Sequence, residues 1–347
     1  MDKLAVRGGW AEVLETLTDG HDLNPAMSQA ALDSILAGQA SDSQAAAFVI
    51  ALRLKGLTAN ELLGLVTAMR QAATSLSVPE HAVDIVGTGG SSARRNHALN
   101  VSTMACFVAA GAGVTVCKHG SVKASSTSGS FDLLDHLGVP VTAAPQQVSE
   151  MVHKHGLGFA FAKTFHPAMR HVAQMRSELG ISTVFNLLGP LSHPGRVKRQ
   201  VLGVLDESLG SMMAEVLQAT GSVRSLVVNG DGHFDEFTTT GANHVWELNE
   251  DTISEYTVQS SDVGLQPAEL RQLRGGTPSD NARILKDVLA GEHSPCRDIV
   301  VFNAAAALYV SGHAADLCEG VAAAAAAIDD GRAAAKFKAV TTQSQPS

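Results

Sequence analysis

Aromatic residues are scarce in this chain: 11 Phe, 2 Trp and 2 Tyr make up 4% of 347 residues. A surface that stacks nucleic-acid bases needs more of them. Positive charge is also in short supply, with 25 Lys and Arg against 34 Asp and Glu and a formal net charge of −9. Nucleic-acid binders carry a net basic footprint, so no nucleic-acid partner is expected. A local basic pocket for a small anion is still allowed. Long apolar runs are missing: no stretch approaches the roughly 18 unbroken apolar residues of a membrane span, so no membrane partner is expected either. The N-terminal MDKLAVRGGWAEVLETL lacks the apolar core and small-residue cleavage site of a signal peptide. Cysteine is limited to Cys106, Cys117, Cys296 and Cys318, without CxxC spacing. That argues against a zinc site and predicts a reduced, cytoplasmic protein with incidental, mostly buried thiols.

What is abundant is Ala, Gly and apolar residues, the last at 45%, enough to fill a core. The length allows one large or two ordinary domains of roughly 100–200 residues each. Residues 1–75 read as helices only. Asn24 before Pro25 is an N-cap followed by Pro at the first helical position. Thr58 is placed to cap a helix carrying Leu62, Leu65, Val66 and Met69. Pro79 marks a linker. From Val83 the pattern changes to short apolar runs alternating with helices. Strands are expected at AVDIV, Val114–Cys117, Val139–Thr142, Leu157–Phe161, Val201–Leu205 and Leu226–Val228. This alternation predicts an α/β fold: a small all-helical N-terminal domain plus a large α/β domain with a mainly parallel central sheet. The domains read as 1–75 for the helical part, and 80–165 with 192–347 for the α/β part. A helical excursion at 166–191 is expected to return to the helical domain. Ala304 to Ile328 reads as an Ala-rich helix, its Ala322–Ala327 run serving packing alone.

Five segments carry chemistry. DIVGTGGSS (84–92) puts glycines directly after a strand, where backbone amides approach a phosphate closely. It is neither a Walker A loop nor the dinucleotide pattern. NVST (100–103) brings Asn100, Ser102 and Thr103 to a helix start, where phosphate is favoured. KHGSVKASSTSGS (118–130) follows a strand with Lys118, Lys123 and many hydroxyl donors, suited to a polyanion. Asp235 and Glu236 are adjacent carboxylates in a Gly-rich loop, suited to Mg²⁺ rather than zinc; His233 beside them reads as a solvated loop residue. In FHPAMRHVAQMRSELGISTVFNLLGPL (165–191), Arg170 and Arg176 lie six apart on a helix, so at most one faces a shared cleft, where it would take a ligand carboxylate. His166 and His171 read as helix-end and helix-surface residues. No nucleophilic triad is evident.

Taken in order, GTGG, NVST, KHG with its serine run, FHPAMRHV, FNLLGPL and Asp235-Glu236 resemble the anthranilate phosphoribosyltransferase family over essentially the whole chain. The resemblance implies an active site in the hinge cleft and a homodimer formed through the helical domain. It implies transfer of the ribosyl phosphate of phosphoribosyl pyrophosphate to the amino group of anthranilate, in tryptophan synthesis. Gly87, Gly90 and Ser91 then fall in the pyrophosphate loop. Asn100, Val101, Ser102 and Thr103 match a substrate-binding motif, with Ser102 at one of two Mg²⁺ ions and Asp235 and Glu236 at the second. Lys118, His119, Gly120, Ser121, Ser125, Ser126 and Ser130 match the phosphoribosyl-contacting loop, with Lys118 catalytic. Arg176 matches the arginine at the anthranilate carboxylate.

Three departures stand out, one of them Ser177 where the family commonly has a basic residue. Position 121 is Ser where the family usually has Asn, which predicts a roomier acceptor site. The glycines continue Ser91-Ser92 rather than Asp-Gly, and residues 91–99 form a longer loop carrying Arg94, Arg95 and His97. A different aromatic acceptor, or a non-catalytic binding role, are the alternative readings these departures raise.

Overall fold

The structure, a computed structural model, describes Leu4 and residues 8–90, 98–122, 127–232 and 234–341. Ser91, Arg94, Arg95, His97, Lys123, Ser125, Ser126 and His233 lie outside the described residues. The chain opens with four helices, α1 (Gly9–Thr18), α2 (Pro25–Leu36), α3 (Asp42–Lys55) and α4 (Ala59–Ala72). Their starts are chemically explicit: Asn24 accepts from the Met27 amide ahead of Pro25, and Ser41/Gln44 and Thr58/Glu61 form capping boxes. The α/β part runs β1 (Val83–Gly87), α5 (Val101–Gly111), β2 (Val116–Gly120), α6 (Ser130–His136), α7 (Pro145–His155), β3 (Leu157–Phe161) and α8 (Ala162–Phe165). After α9 (Arg170–Leu179) and α10 (Phe185–Leu191) come β4 (Arg199–Gly203), α11 (Gly210–Ala219), β5 (Arg224–Gly230), β6 (Asn243–Asn249) and β7 (Thr252–Val258). The chain closes on α12 (Pro278–Leu289), α13 (Pro295–Ser311), α14 (Leu317–Asp329) and α15 (Arg332–Thr341).

The sheet has the order β3-β2-β1-β4-β5-β6-β7. The first five in that order are parallel; β6 and β7 add antiparallel to β5 and to each other. One face is covered by α5, α6 and the C-terminal helices, in a core that includes Val101, Phe107, Leu226 and Phe302. The other face, through Val86, Leu202 and Val227, shares a core with α11 and with the N-terminal helices through Phe48, Leu62 and Leu65. The helical bundle is thus packed directly on the sheet layer. α9 and α10 contribute Val172, Met175, Phe185 and Leu188 to that same core.

Several sequence expectations need correction. Val139–Thr142 is not a strand. Pro140 has no N–H for a ladder, and the Val139 amide is used on the Leu134 carbonyl to close α6. β2 starts two residues later than expected, so Lys118 and His119 sit inside the strand rather than after it. The Ala-rich helix is two helices, broken at Gly312 with φ 81°. Cys106 and Cys117 are buried, but Cys296 is half-buried and Cys318 exposed, so only two of the four thiols are interior. Among the described residues no helix is long and apolar enough to cross a membrane.

Candidate active site

From β1 the parallel order proceeds to β2 and β3 on one side, and from β4 to β5 on the other. The topological switch point therefore lies at the carboxyl ends of β1 and β4, where α/β sheets receive ligands. These strands end on paired glycines, Gly87 and Gly203. Asp235 fills the space above both. A Cβ at Gly87 would lie 2.1 Å from Asp235 Oδ2, and one at Gly203 1.5 Å from the Asp235 backbone oxygen. The Gly89 amide donates to Asp235 Oδ2 at 2.7 Å. Gly89 and Gly90 take φ of 65° and 91°, the left-handed region that glycine occupies without strain. The glycine loop and the acidic pair, 146 residues apart in sequence, are one structure. The segment is held from behind by buried Asn303 of α13, which accepts from the Phe237 amide at 3.0 Å and donates to its carbonyl at 2.8 Å. Glu236, half-buried, follows Asp235 directly.

Lys118 reaches across from β2, buried, with its Nζ donating to the Ile85 carbonyl and, at 3.2 Å, to Ser102 Oγ at the start of α5. A lysine charge therefore stands beside the first turn of a helix. Asn100 is the N-cap of that helix, but its side chain makes no capping bond. The amides of the first turn are left without a side-chain acceptor, which is the arrangement that binds phosphate. Of the other motif residues, Val101 packs its side chain into the core, so only its backbone faces a ligand. Thr103 is buried with no partner for Oγ1 among the described residues. Asp84, fully buried in β1, accepts from the His119 amide at 3.0 Å and from Gln200 Nε2 at 3.2 Å. Burial pushes its carboxyl up to about 7, against the opposing pull of the Lys118 charge and these donors.

Beyond Lys118 lies a group of buried imidazoles. The His119 ring is 5.0 Å from that of His166 and 5.8 Å from that of His193. The Gly189 carbonyl, 3.1 Å from His119 Nδ1, can only accept, so Nδ1 carries the proton and Nε2 a lone pair. Nε2 of His119 and of His166 have no partner among the described residues. Burial holds His119 well below the usual imidazole range, His166 down to about 4 and His193 down to about 3, so all three are neutral near pH 7. His166 stands at the end of α8 as read, but its burial beside the other imidazoles was not legible, because those neighbours come from β2 and the segment after α10. His171, by contrast, is exposed as expected.

Arg176 is half-buried, with its guanidinium 5.5 Å from the centroid of the Phe185 ring at the start of α10. No carboxylate among the described residues lies within ion-pair distance of it, and burial lowers its pKa. Arg170 points to solvent and donates to the Pro167 carbonyl. The helical spacing thus separates the two arginines as read. Gly120, Ser121 and Ser130 are brought together at the end of β2. Ser130 Oγ donates to the Ser121 carbonyl at 3.1 Å, and a Cβ at Gly120 would meet Ser130 Oγ at 2.6 Å.

Two family models match the chain: the helical bundle domain of a glycosyl transferase family over residues 11–73, and its a/b domain over residues 79–334. The anthranilate phosphoribosyltransferase of Methylocella silvestris is 46% identical over 322 residues, 93% of this chain and 91% of that protein. The crystal structure of the anthranilate phosphoribosyltransferase from Thermus thermophilus superposes with a TM-score of 0.90 at 39% identity, covering 96% of this chain and 99% of that one. The enzyme from Saccharomyces cerevisiae in complex with PRPP and Mg gives a TM-score of 0.88 at 29% identity, covering 96% and 97%. With both domains matched and relatives aligned from end to end, this chain belongs to the anthranilate phosphoribosyltransferase family.

Proposed function

We propose that the chain transfers the 5-phosphoribosyl group of phosphoribosyl pyrophosphate to the amino group of anthranilate, releasing pyrophosphate, in tryptophan biosynthesis. The observation that carries this reading is the end of β1, where Asp235 accepts the Gly89 amide and Lys118, bonded to the Ile85 carbonyl of the same strand, meets the uncapped start of α5. The C1–O bond to pyrophosphate breaks with its electrons leaving on the pyrophosphate. Lys118 and the first amides of α5 meet that charge, which is electrostatic stabilisation by groups already in place. The nitrogen lone pair of the acceptor then forms the C1–N bond, and the resulting ammonium, a strong acid, releases its proton to solvent. The half-buried Arg176, with no carboxylate partner among the described residues, suits a carboxylate, and the neutral imidazoles of His119 and His166 lie behind Lys118 without adding charge. The arginine matches the acid group of an ortho-amino aromatic acid.

Mg²⁺ fits the residues present. Among the described residues no cluster of three or more His, Cys, Asp or Glu side chains forms a cage. Mg²⁺ keeps waters and binds through one or two carboxylates plus substrate phosphates, which Asp235, Glu236 and the Ser102 hydroxyl would complete for two ions. When bound, the metal neutralises the pyrophosphate oxygens. Gly87, Gly90, Ser91, Asn100, Val101, Thr103, Gly120, Ser121, Ser125, Ser126 and Ser130 are proposed to contact the phosphoribosyl substrate or acceptor. We further place the enzyme in the cytoplasm as a homodimer joined through its helical domain (residues 1–75 with 166–191).

The test is pyrophosphate release across a panel of aromatic amines and acids, with and without Mg²⁺. Anthranilate turnover that needs Mg²⁺ and falls by orders of magnitude in Asp235→Ala with Glu236→Ala supports the assignment. Full activity of that double variant removes the metal site. Ser121 favours a second reading, a different aromatic acceptor: its short, exposed side chain cannot supply a carboxamide contact. Turnover with another aromatic and none with anthranilate would establish it.

A further inference from the structure

We propose that Asn281 and Ser128 are positioning residues for the pyrophosphate end of the substrate, fixing the open start of α5 and tying the serine loop to it. The inference rests on the phosphoribosyl pyrophosphate reading above. Asn281, fully buried in the first turn of α12, accepts the Asn100 amide on Oδ1 at 2.9 Å and donates from Nδ2 to the Ala98 carbonyl at 3.0 Å. One carboxamide thus grips the chain on both sides of Leu99, immediately before the motif. Asn281 is itself fixed by donation to the Gly276 and Thr277 carbonyls and by the Thr277/Asp280 capping box. Gly275 closes the clasp, since a Cβ there would lie 2.2 Å from the Ala98 oxygen and 2.7 Å from Leu99 Cα.

The other half of the clasp is Ser128, which is 2% exposed. Its Oγ donates to Asn100 Oδ1 at 2.8 Å, and Asn100 Nδ2 donates back to the Ser128 carbonyl at 3.2 Å. This reciprocal pair occupies the Asn100 carboxamide. Asparagine at an N-cap ordinarily turns onto the amides of its own helix. Held by Ser128, it does not, and the first-turn amides stay available beside Lys118. Without the Ser128 hydroxyl, the Asn100 side chain is released to cap α5 and to compete with a phosphate for the same amides.

The discriminating variant is Ser128→Ala, with Asn281→Ala as the second. Titration calorimetry with phosphoribosyl pyrophosphate and Mg²⁺, with no acceptor present, should show about tenfold weaker binding in each, the loss expected for one well-made hydrogen bond at a ligand site. In steady state the KM for phosphoribosyl pyrophosphate should rise by a similar factor while that for anthranilate stays within about twofold. The thermal midpoint of Ser128→Ala should not fall, because a capped helix is at least as stable. A purely structural role would instead lower the midpoint and move both KM values together. Arg283→Ala, on the exposed side of α12 and ion-paired with Asp287, is the control and should change nothing. Unchanged phosphoribosyl pyrophosphate affinity in Ser128→Ala overturns the proposal alone, and this variant decides if Asn281→Ala does not fold. Wild-type protein that fails to bind phosphoribosyl pyrophosphate overturns the functional reading, and the clasp with it.

Discussion

Replacing Arg176 by Ala should separate catalysis from stability. The guanidinium lies over Phe185, half-buried, with no carboxylate partner among the described residues. Its carboxylate is thus expected to arrive with the acceptor. Losing a charge-assisted pair costs about 1.5–3 kcal/mol, which raises the acceptor KM by about 10- to 150-fold. The KM for phosphoribosyl pyrophosphate, proposed to bind at the start of α5, should stay within about twofold. Stability follows a different sum. The contact over Phe185 is worth about 0.5–1 kcal/mol, and removing a desolvated, unpaired cation returns a comparable amount. Unfolding midpoints in urea should therefore shift little. The assay is loss of acceptor under steady-state conditions for anthranilate and for anthranilamide, which lacks the carboxylate. Wild-type enzyme should prefer anthranilate strongly, and Arg176→Ala should lose that preference. Arg170→Ala, an exposed residue on the same helix, should be neutral. Equal effects of the two substitutions, or a preference that survives in Arg176→Ala, would refute the assignment.

Gly87→Ala drives a methyl to 2.1 Å from an Asp235 carboxylate oxygen, so the half-saturating Mg²⁺ concentration should rise and turnover should drop by at least about tenfold; normal Mg²⁺ dependence would detach Asp235 from the metal. Asp84 predicts a pH effect. Its folded pKa of about 7 lies above the ordinary 3.8, so the fold disfavours the ionised form. That penalty is absent below about pH 4, grows as pH rises towards 7, and is constant above, reaching on the order of 4 kcal/mol. Asp84→Asn never ionises, so its stability relative to wild type should improve by a few kcal/mol between pH 5 and 8 in urea unfolding. A difference that is flat with pH would reject this. Ser121→Asn should lower the KM for anthranilate while reducing activity on ring-substituted anthranilates; unchanged selectivity would show that position 121 does not face the acceptor.

Local chemistry was legible in the sequence wherever the determining forces were local. Asn24-Pro25 and Thr58 announced their helices, because a cap needs only an oxygen and an amide three residues on. The apolar run Leu157–Phe161 became β3 with the same ends, since a strand covered on both faces is continuously hydrophobic. The ordered motifs sufficed to resemble one family. Other features were read wrongly or not at all. Val139–Thr142 looked like a strand by composition, but its Val139 amide was committed to α6. The antiparallel pair β6–β7 passed unread, its β7 mixing polar and apolar residues at a sheet edge where only one face must be covered. His166, Asn281 and Asn303 carry no sequence signature, because a lone buried polar residue is defined by the partner it satisfies. Beyond their own helix ends, those partners lie 66 to 183 residues away for the two asparagines. The site at the switch point belongs to the tertiary structure alone. Which strands lie side by side is set by packing of the crossover helices on both faces of the sheet, and that packing brings Gly87, Gly203 and Asp235 into contact.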